Sequence, residues 1–178
     1  KDGAIIKSSQ EIIGDAGSII ADLSDFYIED ELVVNCEVNC DQDEYVREYS
    51  GCKFDHVHFF YEELSCSFVD CIFYNCDFSN IDMSRISFVR CEFYNCKLAG
   101  LKFIKSLLKD VAFERTNLRY INFAEAKLER VEFIDSSLQD GYFSTTKLKD
   151  IDFQDCDLTK LEVYATSLKG IDLSTSDI

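Results

Sequence analysis

Nine cysteines and two histidines are the residues whose chemistry would be most distinctive in this sequence. No two cysteines have the C-x-x-C spacing that is typical of zinc sites. The histidines are His56 and His58, and the chain contains neither a nucleophile elbow nor a Gly-rich phosphate loop. The sequence therefore predicts a protein without a metal, a cofactor or an enzymatic activity.

The cysteines fit a structural role instead. Seven of the nine are separated by multiples of five residues, and Cys40 and Cys52 lie outside that pattern. A buried free thiol packs like a small hydrophobic group, and free thiols persist in reducing compartments. We therefore expect a cytoplasmic protein with inward-pointing thiols. The seven are Cys36, Cys66, Cys71, Cys76, Cys91, Cys96 and Cys156.

Acidic side chains are the second group that could carry function. The formal net charge is −16, which argues against nucleic-acid binding because a nucleic-acid-binding protein needs a basic surface. Acids can still bind a basic surface of a partner protein, or they can simply keep the chain soluble. Residues 1–65 carry a balance of −12 and residues 66–178 only −4. The candidate binding acids of the second part are Glu92, Glu114, Glu132, Asp135, Asp152, Asp155 and Asp172.

A five-residue rhythm positions these side chains. From Phe68 to Ile178 every fifth residue is large and apolar, at all 23 positions. The residue two places before each of them is never charged, and all 32 charged residues of 66–178 occupy the remaining three positions. Inward positions therefore alternate between steps of two and steps of three residues.

Neither a helix nor a flat strand accommodates a period of five. On an α-helix the apolar residue would rotate by about 140° at each step, and on a strand it would change face. A step of two fits one face of a strand, and the step of three must contain a corner. The chain then coils, and successive coils stack about 4.8 Å apart. Residues twenty apart also share types, which predicts four corners per coil; one such column is Phe73, Phe93, Phe113, Phe133 and Phe153.

Several five-residue segments resemble the pentapeptide-repeat family. Its consensus is a small residue, Asp or Asn, Leu or Phe, and two polar residues. Close matches are Cys76-Asp77-Phe78-Ser79-Asn80, Thr116-Asn117-Leu118-Arg119-Tyr120 and Cys156-Asp157-Leu158-Thr159-Lys160. The resemblance covers residues 21–178 and implies an all-β fold, a right-handed quadrilateral parallel β-helix with four pentapeptides per coil.

Two segments depart from the rhythm. Residues 1–20 contain Ser8-x-x-Glu11, which resembles a helix capping box; a short N-terminal cap and a disordered segment are the alternatives. Residues 41–51 supply no inward pair, so we expect a loop that projects from a corner. Such loops often bind partners, and an idle surface loop is the alternative. The candidate binding residues there are Asp41, Asp43, Glu44, Tyr45, Arg47, Glu48 and Tyr49.

Part of the sequence is similar to the quinolone-resistance (Qnr-type) subset of that family. The similarity lies in Gly51-Cys52-Lys53-Phe54 after the expected loop, in the segment from Thr116 to Phe123, and in Leu168-Lys169-Gly170-Ile171-Asp172-Leu173. It implies a DNA-mimicking rod that binds the type II topoisomerases DNA gyrase and topoisomerase IV and protects them from quinolones. Members of the subset commonly have a second, larger loop, for which residues 66–178 offer no room.

Other partners remain open at this stage. A scaffold or adaptor would use the outward ladder Val69, Tyr74, Val89 and Tyr94, and immunity against a toxin of the topoisomerase is a further alternative. A homodimer would use the open last coil, because exposed strand edges tend to pair. No apolar run approaches the roughly 18 residues of a membrane helix, so we expect no membrane association.

Overall fold

The computed structural model describes the backbone of residues 6–7, 11–13, 27–29, 32–34, 37–38, 47–59 and 66–178, and the side chains of residues 48–59 and 66–178. All regular structure in these residues is β-strand. The strands are β1 (Ile6–Lys7), β2 (Glu11–Ile13), β3 (Tyr27–Glu29), β4 (Leu32–Val34), β5 (Glu37–Val38), β6 (Arg47–Ser50), β7 (Lys53–Asp55), β8 (His58–Phe59), β9 (Cys66–Val69), β10 (Ile72–Tyr74), β11 (Ser87–Tyr94), β12 (Leu107–Glu114), β13 (Lys127–Ile134), β14 (Tyr142–Ser144), β15 (Lys147–Gln154) and β16 (Glu162–Tyr164).

The strands stack in parallel, one coil above the next. Phe93 of β11 pairs with Phe113 of β12, and Phe133 of β13 pairs with Phe153 of β15, each partner twenty residues further along. This confirms the predicted parallel β-helix with a twenty-residue coil. We number its four faces by their inward columns: face 1 (Phe68, Phe88, Leu108, Leu128, Leu148), face 2 (Phe73, Phe93, Phe113, Phe133, Phe153), face 3 (Phe78, Leu98, Leu118, Leu138, Leu158) and face 4 (Met83, Phe103, Phe123, Phe143, Val163).

Every corner is made by one residue in the left-handed backbone region. From Asp70 to Gly170, each fifth residue has a positive φ, for example Asn80 at 62° and Gly100 at 72°. Asn, Asp and Gly tolerate this region best, whereas other residues are strained there by roughly 1–2 kcal/mol. At the ends of faces 3 and 4 a hydrogen bond closes the corner, as from Leu101 N to Leu98 O at 3.1 Å, which is the pattern of a type II turn.

The core is a set of stacked columns inside the coil. On face 2 the ring of Phe73 lies 4.6 Å from that of Phe93 and almost parallel to it, and Phe133 lies 5.0 Å from Phe153. These spacings match the roughly 4.8 Å between neighbouring strands, so the backbone ladder sets the ring stack. Buried hydroxyls bond to backbone carbonyls, as from Ser106 Oγ to Met83 O at 2.7 Å. The predicted columns are confirmed.

The described part of residues 1–20 extends this ladder. Strand β1 pairs with β3 through Ile6 and Ile28, and β2 pairs with β4 through Ile12 and Val33. The capping-box pattern Ser8-x-x-Glu11 therefore does not start a helix at Glu11–Ile13, which forms β2. A capping box is a local pattern, and here the pairing of Ile12 with a neighbouring strand overrides it.

The expected projecting loop is also wrong where the structure describes it. Residues 47–50 form β6, which lies between β3 and β9. Ile28 pairs with Tyr49 and Val38 pairs with Phe59, 21 residues apart in both cases. A regular coil has twenty residues, so only one extra residue separates these strands rather than an eleven-residue insertion. Asp41, Asp43, Glu44 and Tyr45 lie outside the described residues.

Two further residues of that region belong to the core. Tyr49 is 1% exposed, and its ring stacks 5.0 Å from Phe68. Cys52 is fully buried two residues before Phe54, so its predicted outward position is wrong. The repeat loses one residue before Phe68, because Phe59 and Phe78 stack at 4.1 Å although only 19 residues separate them.

Candidate protein-interaction surface

The structure brings most of the predicted acids onto face 2. Glu92, Glu132 and Asp152 lie in one outward row, in register through β11, β12, β13 and β15, with Ala112 between the first two. Glu114 lies in the second outward row of the same strands. The corner beside that row carries Asp135 and Asp155, and Asp172 follows twenty residues after Asp152. We call this set of seven acids the acidic face.

Most of these carboxylates have no cationic partner. Arg115 pairs with Glu114, but no lysine or arginine of the described chain forms an ion pair with the other six acids. The Tyr94 hydroxyl donates a 2.6 Å hydrogen bond to Glu92, which raises the pKa of Tyr94 to about 12. Gln154 Nε2 donates a similar bond to Asp152. The acidic face therefore keeps its negative charge.

An open hollow interrupts the outward row of the acidic face at Ala112. The Ala112 methyl group stands where its neighbours in the row carry the carboxylates of Glu92 and Glu132. Asp110 and Asp150 also line the hollow, as do Arg90 and Arg130, which offset part of its negative charge. A basic side chain of a partner could enter this hollow and meet carboxylates on several sides.

Alternating charges form a ladder along the corner between faces 1 and 2. Arg90 makes a bidentate pair with Asp70, at 2.5 and 2.8 Å. Two coils further, Arg130 makes the same pair with Asp110, at 2.5 and 3.1 Å. The hydrogen bonds from the two guanidinium groups lower the pKa of Asp70 and of Asp110. This charge ladder fixes the border of the acidic face.

The predicted loop residues do not join the acidic face. Glu48 is exposed and pairs with Ser67 of β9, which places it on face 1. Tyr49 points into the core. Arg47 lies in β6, and its side chain is not among those that the structure describes. The acids of the regular coils are thus the part of the predicted site that the structure assembles.

The repeat itself matches a known family model. Residues 66–143 match the model described as "Pentapeptide repeat region", and these residues form the regular coils of the β-helix. Residues 66–143 are therefore a pentapeptide-repeat region. Among curated proteins, none matches its sequence.

Several solved structures are similar to this one. A trypsin-treated variant of QnrB1, a plasmid-mediated fluoroquinolone resistance protein, has 23% identity and a TM-score of 0.43, with 85% of this chain and 81% of that chain covered. HetL, involved in heterocyst differentiation regulation in the cyanobacterium Nostoc sp., has 12% identity and a TM-score of 0.49, with 82% and 77% covered. A thylakoid-lumen protein of Arabidopsis thaliana has 22% identity and a TM-score of 0.40, with 49% and 64% covered.

Two features of this β-helix were missed from the sequence. The hollow at Ala112 and the charge ladder both join residues twenty apart. The sequence does contain a signal for the ladder, because Asp70, Arg90, Asp110 and Arg130 alternate in sign at the coil period. Reading outward positions at intervals of twenty would have found it.

The described residues contain neither a membrane-spanning helix nor a cluster of metal ligands. No helix among them is long and apolar enough to cross a membrane. No three His, Cys, Asp or Glu side chains of the described ranges are grouped so that they could hold a metal ion. Burial raises the pKa of the Cys76 and Cys156 thiols, which suppresses the thiolate needed for nucleophilic chemistry.

Proposed function

We propose that this protein is a non-enzymatic DNA mimic that binds a type II topoisomerase, DNA gyrase or topoisomerase IV, through its acidic face. Bound there, it protects the enzyme from quinolones. The observation that carries the proposal is the row of unpaired carboxylates held on a rigid β-ladder. The motif similarity to Qnr-type proteins points to topoisomerases among the many proteins that have basic surfaces.

The density of charge supports this proposal. Glu92 and Asp172 are four coil steps apart, which is about 19 Å at roughly 4.8 Å per step. Six acids without an ion pair lie along this length, so one negative charge recurs about every 3 Å. A single strand of B-DNA carries one phosphate per roughly 3.4 Å. A basic surface that follows one DNA strand therefore meets a comparable charge density on the acidic face.

The mode of binding differs from the expectation of a projecting loop. Residues 47–51 belong to the β-helix, so the contacts that we propose come from side chains of the coils. The partner's lysines and arginines align along the outward row and fill the hollow at Ala112. Such contacts weaken with added salt because exposed charges are screened. The buried free cysteines suit the reducing cytoplasm in which a topoisomerase works.

A gyrase supercoiling assay with a quinolone tests the proposal. We expect the wild-type protein to restore supercoiling, and the triple variant Glu92→Gln, Glu132→Gln, Asp152→Asn to need about tenfold more protein, because rim charges govern association. The control, Glu125→Gln, Glu162→Gln, Asp177→Asn, removes the same charge from other faces. Equal losses in both variants, or no effect of the wild-type protein on gyrase, would rule out the acidic face as the binding site.

One observation favours an adaptor as the second candidate. The ring of Tyr74 is 39% exposed and stacks 5.1 Å from that of Tyr94, outside the core. Tyrosines of this kind are enriched in protein interfaces. In the gyrase assay, Tyr74→Ala should leave protection unchanged. A loss of protection would show that the stacked tyrosines Tyr74 and Tyr94, and not the acids alone, bind the enzyme.

We also propose that a second copy of the chain pairs with the last described coil. Val163, Leu168 and Ile178 are 37%, 36% and 80% exposed there. Apolar surface of this kind is commonly covered by a partner. Sedimentation measures the oligomeric state of the wild-type protein and of Leu168→Asp. We expect a dimer for the wild-type protein and a monomer for the variant, and a monomeric wild-type protein would exclude the pairing.

A further inference from the structure

Face 1 carries a positive surface on an otherwise acidic protein. Its outward rows read Ser87, Leu107, Lys127, Lys147 and Val89, Lys109, Glu129, Lys149 from coil to coil. Lys169 follows twenty residues after Lys149, and Asp110, Arg130 and Asp150 occupy the adjoining corner. Six cations thus stand among three anions, a balance of +3 in a chain of net charge −16. We call the six cations the lysine face: Lys109, Lys127, Arg130, Lys147, Lys149 and Lys169.

A single carboxylate organises the centre of the lysine face. Glu129 is only 14% exposed and accepts contacts from Arg130 at 2.6 Å and Lys149 at 3.3 Å, with Lys127 at 3.7 Å. Hydrogen bonds from Arg130 and Lys149 lower the pKa of Glu129 to about 2. Arg130 also pairs with Asp110, so three cations meet two carboxylates and leave an excess of one positive charge.

The remaining lysines of the face have no anionic partner. Lys109, Lys147 and Lys169 form no ion pair with any residue whose side chain the structure describes. Elsewhere on the rod, Lys102 pairs with Asp82 and Lys105 with Glu125. Lys53 on face 2, Lys97 on face 3 and Lys160 at the corner after face 3 also form no ion pair with a described side chain, so face 1 is distinguished by gathering three such lysines on one surface. The charge ladder lies between this surface and the acidic face.

We propose that the lysine face binds an extended acidic peptide segment of a partner protein. The two outward rows are two residues apart along each strand, about 7 Å, and the coils repeat at about 4.8 Å. An extended chain that runs along the rod lies over both rows, and its carboxylates on alternate residues, roughly 6.8 Å apart, can each reach a lysine of one row or the other. The proposal concerns a different face from the topoisomerase proposal and stands independently of it.

The shape and surroundings of the lysine face disfavour a nucleic acid. The face is about 10 Å wide, while the major groove of B-DNA alone is about 12 Å wide. A duplex laid on it would reach over the corner toward the acidic face. The distance around that corner is within about one Debye length, 8–10 Å at physiological salt, so a stiff polyanion would be repelled. A narrow peptide can stay on the lysine face alone.

Fluorescence anisotropy with a labelled oligoglutamate peptide tests the proposal, at about 50 mM and about 200 mM salt. We expect the wild-type protein to bind the peptide and to lose affinity at the higher salt. The triple variant Lys109→Gln, Lys147→Gln, Lys169→Gln should bind at least about tenfold more weakly. Its matched control, Arg85→Gln, Lys97→Gln, Lys160→Gln, removes the same charge from other faces and should bind like the wild-type protein.

Each other outcome overturns the proposal. Absence of binding at the lower salt, or equal losses in the two triple variants, would mean that the lysine face is only a solvated surface. Tighter binding of a labelled DNA duplex than of the peptide would assign the face to nucleic acid. Self-association of the wild-type protein that the lysine triple variant abolishes would assign it to a second copy. The lysine triple variant keeps the acidic face intact and should still protect gyrase. Loss of peptide binding with retained gyrase protection therefore distinguishes a result on the lysine face from a failure of the acidic face.

Discussion

Replacement of Phe113 by alanine tests whether the stacked rings stabilise the solenoid. The Phe113 side chain is 0% exposed. Its ring lies 4.9 Å from that of Phe93 and 5.2 Å from that of Phe133, nearly parallel to both. The substitution removes the middle ring of a continuous column and leaves each of its two neighbours stacked on one side only.

The expected loss of unfolding free energy is about 3–5 kcal/mol. Burial of a phenylalanine contributes about 1.5–3 kcal/mol, and a cavity adds to the loss because the surrounding structure relaxes only partly. Relaxation is restricted here, since β12 is hydrogen-bonded to β11 on one side and to β13 on the other. The backbone ladder therefore holds the coils apart around the empty space.

Urea unfolding followed by circular dichroism measures this loss. Phe113→Leu is the first control, because the neighbouring columns of faces 1 and 3 hold leucine at this level; it should cost less than about 1.5 kcal/mol. Tyr94→Ala is the second, because its ring lies outside the coil, and it should cost about 1 kcal/mol or less. A loss below about 1 kcal/mol for Phe113→Ala, or a loss equal to that of Tyr94→Ala, would refute the reasoning.

Two further predictions concern the thiols and acid stability. Cys52, Cys76 and Cys156 should react slowly with an alkylating reagent until denaturant is added, since all three are buried; rapid labelling of Cys52 in the native protein would contradict its inward position. Glu129 has a folded-state pKa of about 2, below the ordinary value near 4.3. Its stabilising contribution is therefore complete above about pH 4.3 and is lost as the pH falls through about 2. Urea unfolding should show a smaller loss of stability over this range for Glu129→Gln than for the wild-type protein, whereas Glu132→Gln, which removes an acid without an ion pair, should behave like the wild-type protein. Parallel losses in all three proteins would refute the assignment.

Residues 66–178 could be placed from the sequence because their pattern is local and repeats without a gap. Each inward residue is fixed by the residues two and three places away, through the alternation of a strand and the geometry of a corner. A one-residue error would have put charges into the core, so only one register was acceptable. The acids of face 2 followed from that register, and the structure places them together on one surface.

Even within the regular coils, the five-residue pattern alone does not determine every residue type. Gly141 occupies an inward position where the rhythm suggests an apolar side chain. A Cβ atom at this residue would lie 2.8 Å from Leu138 O and 3.0 Å from Leu161 Cδ1. The neighbouring coils already fill the space with the side chains of Leu161 and Ile121, so packing between coils decides this residue.

Before residue 66 the sequence was insufficient because the phase of the repeat changes. One residue is gained between Val38 and Phe59 relative to a twenty-residue coil, and one is lost between Phe59 and Phe78. A local pattern cannot distinguish a shifted phase from an insertion, and for this reason Tyr49 and Cys52 were assigned outward. Only strand pairing between coils resolves the two cases, since hydrogen bonds and stacked rings must be satisfied across about twenty residues of chain. The same long-range pairing forms the hollow at Ala112, the charge ladder and the lysine face, whose members meet only when the coils stack.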